Sequence, residues 1–255
     1  MSKNHLSYTW PLILAYHSIS LHRKDSLAVK TVDFERQIAW LHKNKFKSIT
    51  LADFASKNYK KGDRIVIVTF DDGYEDNFTQ AFPILKKYGF VATVFLVSDY
   101  VNTDHIFYWD IPRISDERAR PFFKIMNWEQ VNEMADYGIE FGSHTCTHPE
   151  LTKIASDKCW MEINQSRIDL KNKLGRDIIS FCYPRGNLNN NIIGMVDRAG
   201  YSCAVVSPPR WGIPLNQHTL RRIGLYYQNS FNTFRLKIHP LIKRNHERLM
   251  WFHSH

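Results

Sequence analysis

The chain has 255 residues, is 44% hydrophobic and carries a formal net charge of +9. This is enough apolar material for one sizeable core, and no stretch approaches the roughly 18 uncharged apolar residues of a membrane span. The basic excess suits anionic partners in general, but no zinc finger, RNA-recognition motif or long basic arm accompanies it, which argues against nucleic acid.

Strand-like and helix-like runs alternate along the chain. Residues 11–15 read as a first strand; the run has a proline and no convincing cleavage site, so a signal peptide is not expected. The expected location is the cytoplasm, with peripheral contact at the inner membrane face as the alternative. Residues 32–45 form an amphipathic helix with Phe34, Ile38 and Leu41 on one face. A strand-like run at 49–51 follows, then the strand 64–70. Residues 77–88 are a helix ended by Gly89, and 92–97 a strand. Residues 99–127, with Trp109, Pro112, Pro121, Phe122 and Phe123, make a longer insertion, either a lid or substrate wall or a packed surface excursion. The next helices are 128–137, ended by Gly138, 157–174, capped by Ser156 or Asp157 and ended by Gly175, and 191–199, ended by Gly200. Strands are expected at 139–142, 178–182, 201–206 and 220–225. The final segment mixes apolar and basic residues around Leu236 and His239; a helix packed on the core is expected, with membrane contact as the alternative. Alternating strands and helices imply a largely parallel sheet, and about eight strands fit an α/β barrel with its site at the C-terminal strand ends.

The chemistry concentrates at those ends. Asp71, Asp72 and Gly73 terminate a run of β-branched and aromatic residues. Adjacent strand residues point to opposite faces, so a turn is needed before both carboxylates face one site, and Gly73 allows it. His144 and His148 share a helical spacing, but Pro149 and the strand-like run before them favour a strand end followed by a turn. Two imidazoles with one carboxylate suit Zn²⁺ or a similar transition metal better than Mg²⁺, and three ligands leave a position open. The four cysteines, Cys146, Cys159, Cys182 and Cys203, form no close pair and are expected as free thiols, with Cys146 a minor candidate ligand.

Thr69, Phe70, Asp71, Asp72 and Gly73, then residues 143–148, then Tyr183, Pro184, Arg185 and Gly186 follow one another in the order of three motifs. In this the chain resembles the polysaccharide deacetylases of the NodB-homology type, carbohydrate esterase family 4, over roughly residues 10–225. The resemblance implies an irregular (β/α)₇-type barrel forming a single domain over 1–255, with 226–255 as a helical tail. It implies a metal-dependent hydrolase that removes the acetyl group from an N-acetylated sugar or glycan. The alternatives are an amidohydrolase or deformylase acting on another amide, and a degenerate relative that only binds glycan. By the same resemblance Asp72, His144 and His148 hold the metal, most simply Zn²⁺ with Co²⁺ or Ni²⁺ as alternatives, and Asp71 is the base. The backbone N–H of Arg185, with Tyr183 and Arg222 nearby, is assigned to the oxyanion or substrate.

The sequence departs from the family in two places. Cys182 stands where many relatives carry an arginine that pairs with the catalytic aspartate, and Arg222 is the candidate substitute. The late Leu-x-His motif, the family's source of a general acid, is not matched by Leu236 and His239. His17, at the end of the first strand, is expected to take that place. Oligomeric state and the identity of the sugar are left open.

Overall fold

The structure, a computed structural model, describes residues 12–59, 63–114, 116–207 and 213–239. In chain order its elements are β1 (Leu12–Tyr16), β2 (Ser18–Ser20), β3 (Ala28–Lys30), α1 (Thr31–Lys43), β4 (Lys47–Ser48), α2 (Leu51–Ser56), β5 (Ile65–Phe70), α3 (Phe82–Tyr88), β6 (Thr93–Leu96), α4 (Trp128–Tyr137), β7 (Glu140–Ser143), α5 (Ser156–Leu174), β8 (Ser180–Cys182), α6 (Asn190–Arg198), β9 (Cys203–Val206), β10 (Leu220–Arg221), β11 (Ile223–Gly224) and α7 (Phe231–Ile238).

The main sheet runs β10-β9-β8-β7-β6-β5-β1-β11, with β4 beside the start of β5, and every pairing in it is parallel. Its two edge strands, β10 and β11, are consecutive pieces of one segment with only Arg222 between them. That segment bonds to β9 on one side, Arg222 N–H donating to the Val206 carbonyl at 3.3 Å, and to β1 on the other, Leu225 N–H donating to the Ala15 carbonyl at 2.9 Å. The sheet thereby closes on itself as the irregular (β/α)₇-type barrel expected of the sequence. Residues 220–225 are therefore not one ordinary last strand: two neighbours compete for their backbone, and each takes half.

β5 shows how composition makes the element. Its β-branched and aromatic side chains are all buried, as a parallel strand covered on both faces requires. Odd residues of β5 and β1 point into the barrel: Ile13, Ile65 and Ile67 join Phe95, Cys182, Val205 and Leu220 in an inner core. Even residues such as Leu14, Val66 and Val68 face the helices in a larger outer core. Each fully buried aliphatic or aromatic side chain contributes about 1.5–3 kcal/mol.

Local chemistry sets the helix ends. Asn127 and Gln130 form a capping box on α4, and Asn189 and Ser230 cap α6 and α7. Three expectations are corrected. Residues 49–51 are not strand, because the Thr50 hydroxyl accepts from Asp53 N–H and starts α2. Residues 77–81 are π-helical before α3 begins; Pro83 lacks the N–H that an α-helix would donate back to Thr79. Ser156 is the first residue of α5 rather than its cap, and the cap residue Ala155 makes no side-chain bond. α7 packs Phe234 and Ile238 onto the barrel, with Phe234 edge-on to Trp40 of α1. Residues 240–255 and 1–11, which carry much of the tail and the start of the first run, lie outside the described residues. No described helix is long and apolar enough to cross a membrane.

Candidate functional site

Register alone brings five groups to the C-terminal mouth of the barrel. Asp71 continues the inward series Ile65, Ile67, Thr69; His17 continues Ile13 and Ala15; Arg222 follows Leu220; Cys182 ends β8; His144 follows Gly142 of β7. Asp72 and His148 reach the same mouth by turning back. Asp72 and Gly73 have φ of 72° and 73°, and Thr145, His148 and Arg185 have φ of 71°, 60° and 56°. Left-handed backbone at non-glycine residues costs of order 1–3 kcal/mol each and gathers at functional sites. The turn expected at Gly73 thus begins one residue earlier, at Asp72 itself. A Cβ at Gly73 would also meet Leu96 Cδ2 at 2.7 Å, so that side chain would have to shift.

Asp72 lies between the two histidines. Its Oδ1 is 3.6 Å from His144 Nε2 and 3.6 Å from His148 Nε2, and that oxygen is buried with no hydrogen-bond partner among the described residues. Burial, reinforced by the Asp71 charge, pushes the Asp72 carboxyl well above its ordinary range. Burial likewise holds both imidazoles below theirs, so they offer lone pairs. His144 Nδ1–H donates to the Cys182 carbonyl at 2.7 Å, which leaves the Nε2 lone pair available to an ion. These residues fit a divalent metal. The carboxylate is an orphan that a cation would satisfy, and two donors about 2.1 Å from a tetrahedral ion lie about 3.4 Å apart, close to the spacing found. Of the other groupings able to hold an ion among the described residues, one is Asp99, Cys146 and Asp169. Cys146 turns away from the histidines, its Sγ 3.6 Å from the Glu162 carbonyl.

Asp71 is held differently. Arg222 Nη1 and Nη2 donate to its two oxygens at 2.6 Å each, a bidentate pair at the barrel closure. Burial alone would raise this carboxyl, but the Arg222 charge and hydrogen bonds override it and hold it well below the usual carboxylate range. Cys182 Sγ completes the nest, 3.6 Å from Asp71 Oδ1 and 3.2 Å from Arg222 Nη2. All four cysteines are free. Arg222 therefore occupies the position of a partner to Asp71. The expectation that Arg222 touches substrate is corrected: the guanidinium is buried, and among the described residues it donates to Asp71, Thr69 and Cys182. Tyr183 is corrected too. It is 1% exposed and its hydroxyl donates to the His218 carbonyl at 2.9 Å, so its side chain belongs to the core.

His17 Nε2 is 3.7 Å from Asp71 Oδ2, and burial pushes this imidazole down to about 4. His239 is exposed at the end of α7, on the outside of the barrel. Arg185 follows Pro184 in a tight turn; its guanidinium lies 5.3 Å from the Tyr108 ring and 5.7 Å from Trp109, and 3.7 Å from Glu150. The insertion 99–127 is a wall of the site. Phe107 and Trp109 stack at 4.4 Å, and Trp109 packs on His148 at 4.7 Å. A cluster of buried Arg23, Tyr74 and Asp110 with half-buried Arg113 lies behind them. Sequence reading missed this cluster; its one signal was Asp110 placed directly after the aromatic run 107–109.

Residues 58–204 match the family model described as polysaccharide deacetylase. The chain is 31% identical over 200 residues to YxkH of Bacillus subtilis (strain 168), a protein named for the polysaccharide deacetylases, covering 77% of this chain and 64% of that protein. It is 28% identical over 183 residues to the poly-β-1,6-N-acetyl-D-glucosamine N-deacetylase of Staphylococcus aureus (strain NCTC 8325 / PS 47), covering 68% of this chain and 59% of the relative. The chain thus spans less than two thirds of the length of these two relatives. Among solved structures, Streptococcus pyogenes deacetylase PplD in complex with acetate superposes with a TM-score of 0.74 at 24% identity, over 90% of this chain and 98% of that one. IcaB from Ammonifex degensii gives 0.71 at 21% identity, over 88% and 94%. At these identities the two structures speak for the fold.

Proposed function

The chain belongs to the polysaccharide deacetylase family, and from that membership we propose that it is a metal-dependent hydrolase removing the acetyl group from an N-acetylated sugar or glycan. The single observation that carries the reading is the split between two adjacent carboxylates. Asp72 faces His144 and His148 without a counter-charge, while Asp71 stands beside them, ionised by Arg222. A module that merely binds glycan has no use for the second, paired carboxylate.

Asp72, His144 and His148 would hold the metal, with Zn²⁺ the first choice and Co²⁺ or Ni²⁺ the alternatives. When bound it supplies a Lewis acid that polarises the amide carbonyl and makes water more acidic. Asp71 takes the proton of the attacking water. Its bidentate pairing fixes the carboxylate plane and keeps its proton affinity low, so it is charged and ready at neutral pH. The backbone N–H of Arg185 donates to the developing oxyanion. His17 is neutral at neutral pH, so it can give the departing amine only a proton it has first received, and Asp71 is the adjacent source. The wall formed by Tyr108, Trp109 and Arg185 offers aromatic faces and a cation to the sugar.

Acetate release by the metal-loaded protein tests this across free, nucleotide-linked, lipid-linked and polymeric N-acetyl sugars. Poly-β-1,6-N-acetyl-D-glucosamine comes first, because the Staphylococcus relative is named for it. Turnover of any of these that disappears in Asp71→Asn supports the proposal. Formate release from N-formyl substrates in place of acetate, or sugar binding without turnover, would replace it with an alternative.

A further inference from the structure

The two histidines beside Asp72 are oriented by different means. His144 has a polar tether, the 2.7 Å bond from Nδ1 to the Cys182 carbonyl. His148 Nδ1 is buried with no hydrogen-bond partner among the described residues. A histidine that ligates a metal ordinarily donates its other ring N–H to a carboxylate or carbonyl, which fixes the ring. Here the ring is fixed by packing. Trp109 lies 4.7 Å away with planes at 57°, Phe107 5.9 Å away at 67°, and His144 4.7 Å away at 76°. The stacked pair Phe107 and Trp109, together with His144, leaves the imidazole little room to swing.

Trp109 is itself anchored. Its Nε1–H donates to the Tyr74 hydroxyl at 3.1 Å, and that hydroxyl donates to Asp110 Oδ2 at 2.6 Å. Asp110 is fully buried and takes Arg23 Nη2 at 2.9 Å and Arg113 Nη1 at 3.0 Å on its other oxygen. Tyr74 is two residues beyond Asp72 in the same turn. The insertion is further stitched to that turn by Met126 N–H donating to the Gly73 carbonyl at 3.0 Å and Glu75 N–H donating to the Lys124 carbonyl at 2.8 Å. One continuous network therefore runs from the Asp72 turn, through Tyr74 and Asp110, to the ring that faces His148.

We propose that Trp109, held by Tyr74 and Asp110, is a positioning residue for His148. Aromatic packing stands in for the missing hydrogen bond and sets the spacing between His148 Nε2 and Asp72 Oδ1. The inference rests on the reading of Asp72, His144 and His148 as the metal ligands. It also gives the insertion a task beyond shaping the substrate wall, since it ties together two ligands carried by different loops.

The test is Co²⁺ binding to metal-stripped full-length protein, followed by visible absorption and by competition with a chelator. Loss of an outer partner of a ligating histidine typically costs about 10–100-fold in metal affinity or activity. Trp109→Ala is expected to weaken Co²⁺ binding about 10-fold or more and to alter the absorption bands, while the metal-free protein stays folded. Trp109→Phe, which keeps a ring against His148, should restore most of the affinity. Tyr74→Phe, which keeps the core packed but removes the tether, should fall between. Binding within twofold of wild type with unchanged bands in Trp109→Ala overturns the positioning role. If Trp109→Ala does not fold, wild-type binding and bands in Tyr74→Phe overturn it instead. Undiminished Co²⁺ binding in His144→Ala overturns the metal site itself, a separate failure.

Discussion

Asp71 faces the strand that closes the barrel, whereas Asp72, its neighbour, faces two histidines and an aromatic wall. The closing segment brings a buried guanidinium to Asp71 at 2.6 Å. Among the described residues no fixed opposite charge contacts Asp72, whose Oδ1 has no hydrogen-bond partner there. A buried carboxylate without compensation is expensive, so the two environments assign different states to identical side chains. Where the chain supplies the counter-charge, the carboxylate is ionised without help from a ligand. Where it does not, the counter-charge must come from outside. A third carboxylate of the same loop, Asp76, takes an intermediate course. It bonds to the Ser18 hydroxyl and accepts from Ile19 N–H at 3.0 Å, with no cation among the described residues in contact.

Exchanging the two neighbours for amides is the sharpest way to break this comparison. Asp71→Asn should keep its metal and lose turnover by about 10²–10⁴-fold, the usual contribution of a general base. Asp72→Asn should lose the metal as well. Elemental analysis beside acetate release separates the two, and equal metal loss in both would erase the distinction. Removing the counter-charge comes next. Arg222→Met leaves Asp71 buried and unpaired, and should cost about 3–5 kcal/mol of stability in urea unfolding. An unchanged unfolding midpoint would mean that Asp71 does not depend on the closing strand. His17 tests the Asp71 side from the other direction. His17→Ala should reduce turnover about 10²-fold with metal content intact, while His239→Ala stays within a few-fold of wild type because that residue is outside the barrel. A reversed order would move the proton donor to the tail.

The smallest effect concerns Asp76. Burial pushes this carboxyl from 3.8 up to about 7. The folded state then binds the proton more tightly than the unfolded chain. The stability it contributes is fully present below about pH 4 and is lost as pH rises to about 7. Asp76→Asn cannot titrate, so its melting temperature relative to wild type should climb between those limits and level off above them. A difference that is flat with pH would put Asp76 with Asp71, as a carboxylate ionised throughout.

Much of the site was legible because its residues sit where a strand meets a turn. The β-branched run 65–70 requires a buried parallel strand, so Asp71 and Asp72 must emerge at its C-terminal end. Pro149 and the strand before His144 placed both histidines in a turn rather than on a helix. Gly89, Gly138 and Gly175 marked helix ends that the structure keeps, each with positive φ. Tyr183 misled because a motif position says nothing about where a phenol finds its hydrogen bond; here it turns inward to His218.

What local sequence determines is what local physics fixes: strand and helix periods, turn residues, and the alternation that aims Asp71, His17 and Arg222 into one barrel. What only the tertiary structure decided is which distant groups meet. Arg222 lies 151 residues from Asp71, and its role follows from the last strand segment dividing its backbone between both edges of the sheet. Trp109 lies 39 residues before His148, on a segment with no regular period, and reaches it only because Asp110, Arg23 and Tyr74 satisfy one another in the dark of the protein interior. Buried charges and unpaired ring nitrogens are settled by whatever the closed fold brings within about 3–5 Å, and no spacing along the chain encodes that.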